Sequence, residues 1–136
     1  GVVAVVSVLA VKWAGISGLG ANRTALLILV PAYARCAMLF GMRALDYGRP
    51  QGGTGLAFFS RALRLQDFWA LIPVGILSLA LGLPVLTLAI GFAAITAALV
   101  AYYRRRLGCI TGDMLGAMAE VTEAGLFLLA AAGGLR

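Results

Sequence analysis

GCITGDMLGAMAEVTE, residues 108–123, is the stretch that decides the fold, because it places carboxylates where an apolar helix begins. It holds three of the chain's five acidic residues, Asp113, Glu120 and Glu123, and continues into apolar residues 124–132. At about 100° per residue, a helix places Asp113 and Glu120 nearly in line, with Glu123 less than a quarter turn away. Gly116 lies on the same face and leaves open space between the acids. Carboxylates beside a hydrophobic segment are costly, so the sequence predicts that they have a partner or a function.

The composition predicts an all-α integral membrane protein, a polytopic helical bundle. The 136 residues are 62% hydrophobic and 12% charged, with a mean hydropathy of +1.02. An ordinary soluble domain has about 25% charged residues, so much of the solvating surface is missing. The net charge of +6 comes from arginines that lie between apolar spans. It therefore favours membrane-facing loops or anionic substrates, and nucleic acid is not a predicted partner.

Several kinds of site are excluded by composition. The chain has no histidine, which removes His-based triads and His metal sites. Its two cysteines, Cys36 in an apolar span and Cys109 in a basic loop, are predicted to be reduced thiols.

Five apolar segments predict about five transmembrane helices within a single membrane-embedded domain, residues 1–136. The predicted spans are residues 1–19, 24–45, 67–83, 85–103 and 113–132. Leu83 and Pro84 predict a tight break between the third and fourth spans. A long loop, residues 46–66, joins the second span to the third, and its residues 56–65 have the pattern of a short amphipathic helix in the membrane interface.

The distribution of arginine predicts the orientation. The two loops at residues 43–66 and 103–112 hold seven arginines: Arg43, Arg49, Arg61, Arg64, Arg104, Arg105 and Arg106. The opposite side holds Arg23 and Arg136. The positive-inside rule therefore places both loops in the cytoplasm. The sequence predicts a multi-pass protein of the cell inner membrane whose site faces the cytoplasm.

Three groups of residues are candidates for chemistry, and each has a structural alternative. The acids of the fifth span could hold Mg²⁺ while arginines bind phosphate, or Arg35, about two turns inside the second span, could simply pair with Glu120 or Glu123. The glycine-rich loop at residues 47–55 could cradle an anion or be a flexible connector. Lys12, beside Trp13, could be a functional lysine, and the interpretation adopted is a lysine that extends to the membrane surface.

Two blocks of sequence together resemble a known family. One is Tyr33-Ala34-Arg35 through YGRPQG at residues 47–52, followed by GLAF at residues 55–58. The other is TGDMLGAMAEVTE at residues 111–123, and Lys12-Trp13 also fits. Both resemble the C-terminal part of the bacterial cobalamin-5′-phosphate synthases, also called adenosylcobinamide-GDP ribazoletransferases.

The resemblance implies a Mg²⁺-dependent membrane transferase of cobalamin biosynthesis. Such an enzyme joins adenosylcobinamide-GDP to α-ribazole or its 5′-phosphate and releases GMP. On the matching positions, Asp113 and Glu120 are the predicted catalytic residues, and these two with Glu123 are the predicted metal ligands. The predicted substrate-binding residues are Arg35, Arg43, Arg49, Gly52 and Gly55.

One departure from the family pattern changes the prediction. The family's aspartate-rich motif, DGLAD-x-x-DG, precedes the region where this chain opens and is absent from it. The chain also begins at Gly1 without an initiator Met, so we expect a C-terminal part that is inactive alone and has an N-terminal half as its partner. Homo-oligomerisation stays open. The alternatives are a small transporter or channel subunit whose acids bind a cation, and a non-catalytic membrane scaffold.

Overall fold

Helices make up most of the part that a computed structural model describes, which is residues 1–49, 51–53, 55–60, 63–79, 82 and 84–133. The α-helices are α1 (Val2–Ser17), α2 (Arg23–Ala44), α3 (Leu71–Leu79), α4 (Pro84–Arg106) and α5 (Gly112–Ala132). Two 3₁₀ helices, Leu56–Phe59 and Leu65–Ala70, lie between α2 and α3. The predicted all-α bundle is confirmed. Three residues on which the predicted orientation or the predicted break between spans depends lie outside the described residues: Arg61, Leu83 and Arg136.

Three helices in the described ranges are long and apolar enough to cross a membrane: α2, residues 86–106 of α4, and α5. The first predicted span, α1, and the segment Gln66–Leu79 are apolar but shorter. The predicted boundaries of the first, second and fifth spans differ from the observed ends by no more than two residues.

α5 is the central helix, because α1, α2 and α4 all pack against it. Its fully buried side chains include Leu115, Met118, Leu126 and Phe127. α1 runs parallel to α5: Lys12 contacts Glu120, Gly15 faces Phe127, and Gly18 faces Ala131. Near the end of α2, Gly41 faces Met118, and near the end of α4 the Tyr103 hydroxyl donates to the Met114 carbonyl. The start of α5 therefore lies at the same end of the bundle as the end of α2 and the end of α4. That polar end carries the loops discussed below.

The third predicted span is not one uniform α-helix. The segment begins as the 3₁₀ helix Leu65–Ala70, where the Asp67 carboxylate accepts a hydrogen bond of 2.7 Å from the Arg64 N–H. The α-helix starts only at Leu71. Pro73 explains the late start. Because proline has no backbone N–H, it is tolerated in the first turn of an α-helix but not further along, where that N–H would donate to the preceding turn.

Two further segments differ from their predicted bounds within the described residues. The predicted amphipathic helix at residues 56–65 is replaced by the single 3₁₀ turn Leu56–Phe59, with Leu63 and Arg64 outside any helix. α4 does not end at Tyr103, because Arg104, Arg105 and Arg106 form its last turn. Cations are favourable there, since the C-terminal end of a helix carries a partial negative charge.

The contact between α1 and α5 requires a glycine, and we expect Gly15→Ala to weaken it. A Cβ on Gly15 would lie 2.7 Å from the Cβ of Phe127 and 2.8 Å from its carbonyl carbon, so the helices would have to separate. Such overpacking typically costs about 1–3 kcal/mol. The measurement is the free energy of unfolding in mixed detergent micelles. Gly116→Ala, which would meet no atom within 4 Å, is the control, and equal losses in both variants would contradict the packing described.

Candidate functional site

The glycine-rich loop is hydrogen-bonded to the segment that leads into α5. The Ile110 N–H donates to the Asp46 carbonyl at 2.9 Å, and the Gly48 N–H donates to the Ile110 carbonyl at 2.9 Å. These bonds form a parallel bridge between Tyr47 and Ile110. The side chain of Ile110 is fully buried, which fixes the segment to the helices beneath it.

Small residues let the loop approach the start of α5 closely. A Cβ on Gly55 would lie 3.0 Å from both the backbone nitrogen and the Cα of Gly112. The ring of Tyr47 packs against Phe59 with 4.9 Å between ring centroids. Among the described loop residues, which exclude Pro50 and Thr54, these contacts favour an ordered loop over a flexible connector.

We expect Gly55→Ala to release the loop from α5. The φ angle of Gly55 is −83°, which alanine adopts readily, so the effect would come from the contacts of the added Cβ with Gly112 and the Tyr47 ring. Cys109 lies under Gly48, and its thiol should therefore react faster with maleimide once the loop moves. The labelling rate of Cys109 is the measurement, with the exposed Gln51→Ala as control. An unchanged rate in Gly55→Ala would mean that the loop is not held by this approach.

The start of α5 brings one predicted acid and one predicted arginine together. Thr111 caps the helix, its hydroxyl oxygen accepting a bond of 3.4 Å from the Met114 N–H. Asp113 follows in the first turn, and its carboxylate lies 3.9 Å from a guanidinium nitrogen of Arg49. Both side chains are largely exposed, at 84% and 64%. A pair so open to solvent adds little stability but is accessible to a ligand.

A cavity of about 580 Å³ lies between the end of α2 and the 3₁₀ helix Leu56–Phe59, at the same end of the bundle. Its lining includes Arg43, Asp46, Tyr47 and Phe59. The structure thus gathers Arg43, Arg49, Asp113 and the loop that contains Gly52 and Gly55 at the polar end of the bundle.

Arg35 does not join this group. It precedes Arg43 by eight residues, which is about 12 Å of helix rise, and its exposed guanidinium donates to the Pro31 carbonyl of its own helix at 2.8 Å. Its position is the middle of α2, on the face opposite the buried Ala37.

Glu120 and Glu123 also lie away from the polar end, about 10 and 15 Å further along α5 than Asp113. Both contact Lys12: its ammonium nitrogen lies 2.6 Å from a Glu120 oxygen and 3.1 Å from a Glu123 oxygen. The Lys12 side chain is only 14% exposed. The alternative in which Arg35 pairs with Glu120 or Glu123 is not what the structure shows. The interpretation of Lys12 as a lysine that extends to the membrane surface is wrong.

The sequence contains features that could have predicted the ion pair of Lys12 with Glu120 and Glu123. Lys12 is the only lysine of the chain and lies inside an apolar segment. A cation buried there needs an anion, and two of the chain's five acids lie within another apolar segment.

The residues described do not fit a magnesium site by themselves. They contain no group of three or more cysteine, aspartate or glutamate side chains that could hold a metal ion. The Lys12 ammonium already contacts both Glu120 and Glu123, and the predicted third ligand, Asp113, lies about two turns away. Mg²⁺ usually takes one or two carboxylates together with substrate phosphates, so any such site would need oxygens beyond these three side chains.

Comparison with known proteins identifies the family. The family model described as Cobalamin-5-phosphate synthase matches residues 1–132. The chain belongs to the cobalamin-5-phosphate synthase family. A relative in Chlorobium phaeovibrioides, named adenosylcobinamide-GDP ribazoletransferase, is 35% identical over 142 residues, covering 98% of this chain and 55% of the relative. One of the same name in Pseudomonas paraeruginosa is 37% identical, covering 90% of this chain and 50% of the relative.

The chain therefore spans about half the length of the curated family members that it matches. No solved structure matches this member of the family. The two blocks that carried the resemblance, around YGRPQG and TGDMLGA, are the two segments joined by the bridge between Tyr47 and Ile110.

Proposed function

We propose that this chain forms one wall of an adenosylcobinamide-GDP ribazoletransferase. In this reaction the corrinoid phosphoryl group of adenosylcobinamide-GDP is transferred to α-ribazole, or to its 5′-phosphate, and GMP is released. The observation that carries the proposal is the docking of the Arg49 loop on the start of α5, with Arg49 3.9 Å from Asp113. An exposed arginine, an acid and a glycine-rich backbone at one polar end suit a diphosphate substrate.

The arginines and the loop would bind the diphosphate. Arg49 offers a planar fork of N–H donors that matches two phosphate oxygens, and Arg43 lies in the adjacent cavity. The first turn of α5 adds the partial positive charge of a helix N-terminus. Together these groups would neutralise the negative charge that grows on the departing GMP.

Asp113 would act as the general base that accepts the proton of the attacking hydroxyl. The ribazole hydroxyl oxygen forms a bond to the corrinoid-side phosphorus, and the bond from that phosphorus to the bridging oxygen breaks. GMP leaves with the bridging oxygen and its electron pair, while the hydroxyl proton passes to the Asp113 carboxylate. Glu120 lies too far along α5 to accept a proton from the same hydroxyl. We propose that it acts with Lys12 and Glu123 to hold α1 on α5.

A magnesium requirement stays a proposal. When bound, Mg²⁺ would polarise the phosphoryl oxygens and neutralise charge. Its further ligands would come from the aspartate-rich motif that the resemblance assigns to the family's N-terminal half, which we also propose as the partner of this chain. The arginine-rich loops would place the site on the cytoplasmic side of the inner membrane.

The test is a transfer assay with the complete enzyme reconstituted in liposomes. We expect one GMP for each corrinoid–ribazole product, and no GMP when either substrate is omitted. A chelator should abolish formation of both GMP and the product, and added Mg²⁺ should restore it. Ion flux without GMP release would instead support the transporter alternative. Full insertion with neither activity would support a scaffold.

A further inference from the structure

The outward side of α1 and α5 contains an apolar groove with one carboxylate in it. The groove has a volume of about 330 Å³ and is lined by Val5, Val8 and Leu9 from α1 and by Ala117, Glu120 and Val121 from α5. The α1 side chains are unusually open, with Val5 60% and Leu9 59% exposed. We call this surface the α1–α5 groove.

The charges beneath the groove do not balance. One ammonium, Lys12, contacts two carboxylates, so the ionised group carries a net charge of −1. Its negative charge is directed outward, because the Glu120 side chain is 53% exposed while Lys12 is 14% and Glu123 18% exposed. The groove therefore presents an incompletely neutralised carboxylate.

The position of that carboxylate along α5 argues against lipid as its cover. Glu120 lies eight residues beyond the start of α5, which is about 12 Å along a bilayer core of about 30 Å. Charged side chains at such depth face protein, a water-filled cavity or a counter-charge, not acyl chains. Arg35 is a second exposed charge at a similar depth, about 13 Å from the end of α2.

We propose that the α1–α5 groove receives an apolar helix from the half of the family's chain that this sequence does not match, and that this helix presents a lysine or arginine to Glu120. The relatives are about twice as long as the segment they share with this chain, which provides the additional residues. A cation would restore neutrality, and small and branched side chains in the groove allow a helix to approach. The inference rests on the proposed pairing of the two halves in one enzyme.

Site-specific photocrosslinking in the complete enzyme, in its native membrane, tests this interface. A benzophenone side chain is placed at Val5 or at Leu9, and in the controls at Ile90 of α4 or Ile28 of α2, which are similarly exposed but lie elsewhere. Mass spectrometry identifies the linked peptide. We expect Val5 and Leu9 to link to a single helix outside residues 1–136, with a lysine or arginine within one turn of the linked residue.

A charge variant tests the partner's chemistry. Glu120→Gln should lower the crosslink yield from Leu9 by about tenfold or more, because a charge-assisted contact is lost, whereas Asp46→Asn at the polar end should not change it. Crosslinks to lipid only, to a second copy of this chain, or at the frequency of the controls would overturn the proposal. Crosslink formation does not depend on transfer activity. The predicted crosslinks can therefore be absent while the transfer assay gives the expected result, and they can form while the transfer assay does not.

Discussion

Replacing Lys12 with methionine is expected to destabilise the protein by about 3 kcal/mol, the largest loss of stability that we expect from a single substitution. Methionine keeps the length and apolar character of the lysine stem, so the change removes mainly the charge. It leaves Glu120 and Glu123 beside each other without the ammonium that contacts both. The value is at the lower end of the range for breaking a buried ion pair, because Glu120 is half-exposed. The free energy of unfolding in mixed detergent micelles measures it.

The matched control removes all three charges together. Lys12→Met with Glu120→Gln and Glu123→Gln should recover most of the lost stability, because neutral amides at these positions leave no buried charge unpaired. Glu120→Gln and Glu123→Gln without the lysine change should again be unstable, since they leave the ammonium alone. Wild-type stability in Lys12→Met would show that the ion pair does not hold α1 on α5.

Replacing Arg49 with alanine is expected to lower the transfer rate of the complete enzyme by about 100- to 1000-fold, the effect typical of losing one donor to a developing charge. Stability should hardly change, because Arg49 is 64% exposed and its contact with Asp113 is long, at 3.9 Å. The assay is GMP release at saturating substrate, on protein whose insertion and unfolding are normal.

Arg105→Ala is the control for general loss of positive charge. Arg105 lies in the last turn of α4, exposed, at the same end of the bundle. We expect it to retain nearly full transfer because its predicted role is orientation in the membrane. Equal losses in the two variants would mean that net charge matters at this end, not the position of Arg49.

The sequence predicted the helices well because the apolar segments are long and their ends are marked by charge or glycine. It did not predict the short 3₁₀ helices Leu56–Phe59 and Leu65–Ala70, which form where the pattern was amphipathic or apolar. Pro73 is the local feature that determines where α3 begins. A hydropathy pattern does not show that proline lacks a backbone N–H donor. Apolar periodicity alone cannot distinguish one α-helix from two short elements of different type.

The candidate site was predicted in part, and the difference has a physical reason. The sequence and the family resemblance together indicated that Arg49 and Asp113 share one end, and the structure brings them together. The three acids, however, were treated as one group because they share a helical face. A shared face does not set depth: seven residues separate Asp113 from Glu120, and the parallel packing of α1 decides which cation the deeper acids meet. That packing depends on Gly15 against Phe127, a tertiary contact that no local pattern shows.

The most direct test of the site is a double-mutant cycle on GMP release by the complete enzyme, with Arg49→Ala, Asp113→Asn and the two combined. If both residues act on one phosphoryl transfer, each single change should reduce the rate by about 100-fold or more, and the double change should cost much less than the product of the two. A wild-type rate of GMP release in Asp113→Asn, with the protein fully inserted, would contradict the assignment of this end of the bundle as the transfer site.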